Sequence, residues 1–198
     1  PNYDKVMKQV KGAEVLKFDK AKAKELWAKA DAISKFDGKF TIGYNSDSSH
    51  KDWVDAVTNQ LKTNLGIDAV GDPYPDFKGL RDAITQETIK GAFRSGWQAD
   101  YPGMSNFLEP LYSKNGNSND GKYDNAQFNQ LMTDIAKLPV GEEQDKKFAE
   151  AQSILFTDLP AIPLWYSNVL GVWNKDNVSN VAFNWKSEPV YYQITKNA

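Results

Sequence analysis

The stretch FRSGWQADYPGMSNFLEPLYS, residues 93–113, carries most of the information about fold class and site. It begins with a predicted strand that holds Arg94 and Trp97, breaks at residues 100–103 (DYPG), and continues as a short amphipathic helix. A strand that leads through a turn into a helix is typical of α/β proteins. A cation, an acid, a flat ring and a rigid turn this close together favour a recognition surface. The alternative is an edge strand whose polar side chains face water.

Strands and helices alternate on the amino-terminal side of this stretch. The predicted elements are a helix that starts at Asp19, strand 40–45 (FTIGYN), a helix over about 50–65, strand 67–70 (IDAV) and a helix over about 76–85. Asp19 can cap the first helix, in which Leu26 and Trp27 belong to an apolar stripe. Gly66 follows the second helix, where a left-handed residue is favoured. This alternation predicts an α/β fold with a mixed sheet flanked by helices.

Two further helices are predicted on the carboxyl-terminal side, after a polar loop at 115–122. The first begins near Asp124, which forms a capping-box pattern with Gln127, and the ring of Tyr123 is expected to pack against Phe128. Its apolar face is predicted to be buried and consists of Phe128, Leu131, Met132 and Ile135. The second helix covers about 142–157.

The tail differs from the rest of the chain. Residues 164–173 (LWYSNVLGVW) and 190–195 (VYYQIT) have the pattern of strands, but a long irregular stretch separates them. A single domain rarely needs such an arm for itself. We therefore expect this end of the chain to pair with a part of the protein that lies outside the sequence.

Composition excludes several classes of function. The chain has 198 residues, is 40% hydrophobic and 25% charged, and is long enough to bury a core without metal or disulfide support. Its net charge of −2 argues against nucleic-acid binding. The absence of cysteine excludes a disulfide framework, thiol catalysis and thiolate metal sites. No run approaches the ~20 apolar residues that a membrane-spanning helix needs.

The sequence shows no catalytic, cofactor or metal motif. His50 is the only histidine, and no GxSxG, GxGxxG, phosphate-binding loop or HExxH is present. Asp120 is the only carboxylate of the polar loop, whereas a calcium site needs several. We therefore predict a protein that is not an enzyme and that has no cofactor or metal. A pair of carboxylates of the glycosidase kind remains the catalytic alternative.

Five residues are the candidate ligand contacts. Arg94 is one of only two arginines, and its planar fork suits a carboxylate; the alternative is a structural ion pair. Asp100 can accept an ammonium group or cap a turn. Trp97 can line a pocket or belong to the core, and Gln98 and Tyr101 complete the set.

Six motifs in order resemble a known family. They are FDKAKAKELWAKA (18–30), FTIGYN, QLKTNLGIDAV (60–70), SGWQADYPGMSNFL (95–108), YDNAQFNQLM (123–132) and FAEAQSILFTDLPAIPLWYSN (148–168). Together they resemble the carboxyl-terminal part of the extracytoplasmic solute-binding proteins of peptide ABC transporters, the dipeptide/oligopeptide group. The resemblance runs from about residue 18 to the end.

The resemblance implies a lobe of a larger protein. Members of the family close two lobes over a ligand, in the periplasmic-binding-protein fold of type II. Residues 1–18 would then be a hinge-proximal segment, residues 19–166 the second lobe, and residues 167–198 a returning segment that completes a first lobe missing from this sequence.

The resemblance also assigns roles to the candidate contacts. The aspartate of the GWxADY motif, here Asp100, would pair with the α-ammonium of a peptide, and Trp97 would line the pocket. Arg94 matches an arginine that meets a ligand carboxylate in some members. Two departures alter the cleft wall: Gln98 replaces a small residue, and residues 103–104 (Gly-Met) replace a common Asp-Pro.

We therefore expect non-catalytic capture of peptides for delivery to the membrane permease of an ABC importer. The protein is expected to be a monomer outside the cytoplasm, either periplasmic or a cell-surface lipoprotein. Relatives in the family that bind oligosaccharides or nickel complexes leave the ligand class open. A glycan hydrolase and a purely structural module are the alternatives from other classes.

Overall fold

The strand formed by FTIGYN lies at the centre of a three-stranded parallel sheet. A computed structural model describes residues 3–197. The central strand is β1 (Phe40–Asn45), and its neighbours are β2 (Ala69–Tyr74) and β3 (Ala92–Phe93), in the order β2-β1-β3. β1 and β2 pair along their whole length, whereas β3 contributes only two residues. Two further strands, β4 (Val178–Ser179) and β5 (Thr195–Lys196), form a short antiparallel ladder.

Helices make up most of the regular structure. They are α1 (Tyr3–Met7), α2 (Lys20–Ile33), α3 (Lys51–Leu65), α4 (Phe77–Thr85), α5 (Ser105–Tyr112), α6 (Ala126–Ile135) and α7 (Glu142–Asp158). Residues 14–96 form one compact unit, and residues 3–13 together with 97–197 form another. The predicted α/β fold, in which helices flank the sheet, is confirmed. The predicted lobe boundaries refer to a longer protein and remain a prediction.

The unit of residues 14–96 packs α3 and α4 against the parallel sheet. Ile42, Tyr44 and Val54 are buried together, and Leu80 of α4 is fully buried. Gly66 ends α3 with φ 74°, the left-handed conformation that was predicted. Asp19 caps α2 as predicted, because its Oδ1 accepts a 2.9 Å hydrogen bond from the backbone N–H of Lys22. The apolar stripe of α2 is not buried, however, and α2 contributes no residue to the core.

The other unit has a helical core. Val6 of α1 and Leu108 of α5 pack with α6 and α7, and the predicted apolar face of α6 is buried along its length. The Tyr123 ring meets Phe128 edge-on, with 5.8 Å between ring centroids, as the sequence predicted. The predicted cap of α6, Asp124, lies one residue before the observed cap. Asn125 caps α6 through a 3.0 Å hydrogen bond from the Phe128 N–H.

Four predicted strands differ from the structure. β3 stops at Phe93, so Trp97 lies beyond the ladder, and only the last two residues of IDAV, Ala69 and Val70, belong to β2. Residues 164–173 form no strand and expose their apolar side chains. Of residues 190–195, Tyr191–Gln193 form a 3₁₀ turn and only Thr195 belongs to a strand, β5. A strand needs a neighbour to complete its hydrogen-bond ladder, and within residues 3–197 none lies beside 164–173.

No helix in residues 3–197 combines the length and the apolar character needed to cross a bilayer.

Candidate ligand-binding site

The stretch that connects β3 to α5 is organised by one buried amide. Asn106, in the first turn of α5, is 5% exposed. Its Oδ1 accepts a 3.2 Å hydrogen bond from the indole Nε1 of Trp97 and a 3.0 Å hydrogen bond from the backbone N–H of Asp100. Because one acceptor holds both groups, Trp97 and Asp100 have a fixed relation to each other and to α5.

The carboxylate of Asp100 points away from this anchor and towards solvent. Its side chain is 75% exposed, and the nearest cation is Lys186, whose Nζ lies 4.0 Å from Oδ1. A contact of that length at an exposed position adds little stability. Gln98 also contacts Lys186: its Nε2 donates a 2.9 Å hydrogen bond to the backbone carbonyl of Lys186. The structure therefore places the Gln98 side chain on the tail of the chain, and it leaves the Asp100 carboxylate accessible.

The turn after Asp100 is stiffened by Tyr101. The Tyr101 hydroxyl lies 3.0 Å from Ser105 Oγ, within hydrogen-bond distance, so the side chain spans the start of α5. A Cβ at Gly103 would lie only 3.0 Å from the Tyr101 ring. The glycine that departs from the family pattern thus leaves room for the ring.

A cavity of about 680 Å³ opens beside these residues. Its wall includes Trp97, Asp100, Tyr101, Asn106, Glu109, Pro110, residues 113–117 and, from α6, Asn129, Met132, Thr133 and Ala136. Volumes on the order of 300–1,000 Å³ are typical of small-molecule sites. Trp97, Asp100 and Tyr101 are therefore brought together at one cavity, whereas Gln98 and Arg94 are not part of its wall.

Arg94 lies in the other compact unit, just beyond β3. Its backbone N–H donates a 2.8 Å hydrogen bond to the Gly43 carbonyl, and its guanidinium lies over the Phe77 ring, 5.4 Å from the centroid. Burial lowers the pKa of Arg94, and the negative charge of Asp47 opposes that shift. The residue lies at the carboxyl end of the parallel strands, where ligands of open α/β sheets bind.

Three polar residues, Asn45, Asp47 and His50, lie at the same edge, between the end of β1 and the start of α3. Asn45 is 4% exposed, and its Nδ2 donates a 2.6 Å hydrogen bond to Asp47. Its Oδ1 is buried and, within residues 3–197, has no hydrogen-bond partner. His50 accepts a 3.1 Å hydrogen bond at Nδ1 from the indole of Trp53. Burial and then the charge of Arg94 lower the pKa of His50, and Asp47 opposes the shift.

Asn106, Lys186 and the polar residues near His50 were not predicted from the sequence. Asn106 has a detectable signal, because an asparagine between Ser105 and Phe107 interrupts an apolar helix that follows a turn. Lys186 has none, since it is distant in sequence and meets Asp100 only through the fold. His50 belongs to no sequence motif; the structure shows it at the start of α3, half-buried beside Trp53.

No group of three or more metal-binding side chains occurs in the part of the chain that the structure describes.

Comparison with known proteins agrees with this architecture. Residues 1–119 match the bacterial extracellular solute-binding proteins, family 5 Middle. The periplasmic oligopeptide-binding protein OppA of Salmonella typhimurium is 31% identical over 144 residues, which are 73% of this chain and 26% of that protein. Heme-binding protein A of Haemophilus influenzae is 29% identical over 156 residues, 76% of this chain and 28% of that protein.

A solved structure gives the same result at the level of the fold. The ABC transporter-associated periplasmic binding protein DppA of Helicobacter pylori, in complex with the peptide STSA, superposes with a TM-score of 0.64 at 26% identity. The match covers 75% of this chain and 29% of that protein. The present chain thus spans about a quarter of the length of the curated relatives it matches.

The fold is that of part of a periplasmic-type binding protein, and the candidate site is a cavity with an aromatic wall and an exposed acid. The chain belongs to the bacterial extracellular solute-binding proteins of family 5.

Proposed function

We propose that this chain is part of a receptor that captures peptides outside the cytoplasm and delivers them to the permease of an ABC importer. The observation that carries the proposal is the double hydrogen bond to Asn106 Oδ1, which fixes Trp97 and the backbone of Asp100, a residue of the cavity wall whose carboxylate is exposed. An acid held in this way suits the α-ammonium that all peptides share. The oligopeptide-binding relative supports the same ligand class.

The ammonium contact is testable by calorimetry on the full-length protein that contains this chain. A tripeptide such as Ala-Ala-Ala is expected to bind, and the same peptide with an acetylated amino terminus is expected to bind at least tenfold more weakly, because acetylation removes the charge that Asp100 pairs with. Asp100→Asn should weaken the free peptide and leave the acetylated peptide unchanged. Asp176→Asn, at an exposed acid of the tail, is the matched control. Equal affinity of the native protein for the free and the acetylated peptide would contradict the proposal.

At the other compact unit, Arg94 is the proposed partner of a ligand carboxylate. The guanidinium is a permanent cation that is partly buried against Phe77, so a carboxylate would meet it in a weakly hydrated setting. A guanidinium at this edge suits the carboxyl group that all peptides share.

We also propose that residues 167–198 contact a part of the protein outside this chain. Leu170 is 89% exposed and Val172 99% exposed, and Tyr192 is 87% exposed. Apolar side chains so close together rarely remain in water. Hydrogen exchange of the full-length protein should show slow exchange in residues 167–173, and rapid exchange throughout that segment would contradict the proposal.

The proposed receptor binds without a chemical step, as a periplasmic or lipid-anchored monomer. After incubation with the full-length protein, the peptide should be recovered intact by mass spectrometry. Cleaved product that disappears on substitution of one carboxylate would favour a hydrolase instead.

A further inference from the structure

The cavity beside Trp97 contains a second acid that the proposed ammonium contact does not use. Glu109 follows Asn106 by three residues on α5, so both side chains lie on the same face of the helix. Asn106 is fixed towards Trp97 and Asp100, and Glu109 continues that face one turn further into the cavity wall. The wall of the cavity therefore contains two exposed acidic residues, Asp100 and Glu109.

The positive charge in the same wall is already neutralised. Lys114 Nζ lies 2.6 Å from Asp124 Oδ2. Within residues 3–197, no side chain forms an ion pair with Glu109. The side-chain oxygen of Ser113, buried at the end of α5, likewise has no hydrogen-bond partner in the described part of the chain. The electrostatic balance of the cavity thus favours a cation with donor hydrogens.

The loop that follows α5 forms another part of the cavity wall, and its own hydrogen bonds hold it in place. Asn119 is 8% exposed; its Nδ2 donates to the carbonyls of Ser113 and Tyr123 at 3.0 and 2.8 Å. Its Oδ1 accepts from the Tyr123 N–H at 3.0 Å. Gly116 passes so close to Pro110 that a Cβ there would lie 2.5 Å from the Pro110 carbonyl oxygen. The loop is thus fixed at both ends and lies directly beside Glu109.

We propose that the cavity receives a cationic side chain, lysine or arginine, on the amino-terminal residue of the bound peptide, and that Glu109 is the residue that selects it. The inference rests on the proposed function, because it assumes that Asp100 holds the α-ammonium. The first side chain branches from the carbon next to that ammonium, so it is the side chain nearest to Asp100. The aliphatic stem of a lysine would lie along Trp97 and Met132, and its ammonium would meet Glu109.

Four peptides and three variants of the full-length protein test the proposal by calorimetry. The peptides are Lys-Ala-Ala, norleucine-Ala-Ala, Ala-Ala-Lys and Ala-Ala-Ala. The first two differ only in the charged end of the first side chain, and Ala-Ala-Lys reports general attraction of a cation to the protein. The variants are Glu109→Gln, which keeps the shape but removes the charge, Asp100→Asn, and the control Glu150→Gln at an exposed position of α7.

The native protein and the control should bind Lys-Ala-Ala about tenfold more tightly than norleucine-Ala-Ala. Glu109→Gln should abolish that preference and change the affinity for Ala-Ala-Ala less than twofold, whereas Asp100→Asn should weaken all four peptides. A lysine preference that survives Glu109→Gln, or an equal gain for Ala-Ala-Lys, would overturn the inference and leave peptide capture intact. Binding of none of the peptides would overturn the proposed function, and this inference with it.

Discussion

Asn106 holds Trp97 in place through a hydrogen bond of 3.2 Å from the indole Nε1 to the buried amide oxygen. The same oxygen accepts the backbone N–H of Asp100. This acceptor therefore connects the aromatic wall of the cavity to the backbone that carries the proposed ammonium acceptor. Two donors thus depend on one buried side chain.

Asn106→Ala should lower both stability and affinity. Both donors would lose their acceptor, and an unpaired buried polar group costs about 1–3 kcal/mol. Urea unfolding followed by tryptophan fluorescence should show a lower midpoint, and calorimetry should show weaker binding of Ala-Ala-Ala. Asn59→Ala, at an exposed position of α3, is the matched control and should change neither value. Native affinity in Asn106→Ala would show that Trp97 and Asp100 do not need this anchor.

Gly91 permits the close approach of β3 to β1. A Cβ at this position would overlap Thr41 Oγ1 and lie 2.5 Å from the Thr41 carbonyl oxygen, which is backbone and cannot move aside. Gly91→Ala should therefore destabilise the protein by about 1–3 kcal/mol, the usual cost of overpacking. Gly96→Ala is the control, because a Cβ there meets no atom of the described structure within 4 Å. Equal unfolding midpoints for the two variants would contradict the proposed role of Gly91.

The helices of this chain could be predicted from the sequence because their signals are local. The buried residues Phe128, Leu131 and Ile135 recur with helical spacing, and all three lie in the core. The cap of α2 could be predicted because it requires only that the carboxylate of Asp19 lie three residues before the backbone N–H of Lys22. At α6, two candidate caps follow each other. The choice of Asn125 was not predictable, because it depends on an ion pair between Asp124 and Lys114, which lies ten positions earlier in the chain.

The strands and the candidate site could not be predicted fully, because both depend on contacts with residues that are distant in the sequence. Residues 164–173 alternate like a strand, but alternation describes only the two faces of a strand and not its neighbour. Trp97 and Asp100 were predicted to act together, and they do share one cavity. What brings them together is Asn106, a polar residue whose role exists only through tertiary contacts.

Arg94 should determine how strongly the protein responds to the carboxyl terminus of a peptide. If the guanidinium meets that carboxylate, amidation of Ala-Ala-Ala should weaken binding to the native protein about tenfold. The effect should disappear in Arg94→Met, since the charge that distinguishes the two peptides is gone. Lys90→Met removes a cation at an exposed position nearby and should keep the full effect. An amidation effect that persists in Arg94→Met would assign the carboxylate to another residue.

His50 should make the stability of the protein sensitive to mild acid. Burial and the charge of Arg94 lower the pKa of His50 in the folded protein below its ordinary value near 6.5. The unfolded chain therefore binds more protons at His50 than the folded protein as pH falls below about 6.5, so acid favours unfolding in that range. A proton on Nδ1 would also remove the acceptor of the Trp53 indole N–H.

The melting temperature should accordingly fall between pH 7 and pH 5, and His50→Gln should reduce that fall. Glutamine does not titrate, and its side-chain oxygen can still accept a hydrogen bond. Because His50 is the only histidine in the chain, any remaining slope in His50→Gln between pH 7 and pH 6 must arise from other parts of the full-length protein or from carboxylates. Arg94→Met should also reduce the slope, because removing the neighbouring cation allows the pKa of His50 to rise towards its ordinary value. A slope identical in the native protein and both variants would show that His50 titrates alike in the folded and unfolded states.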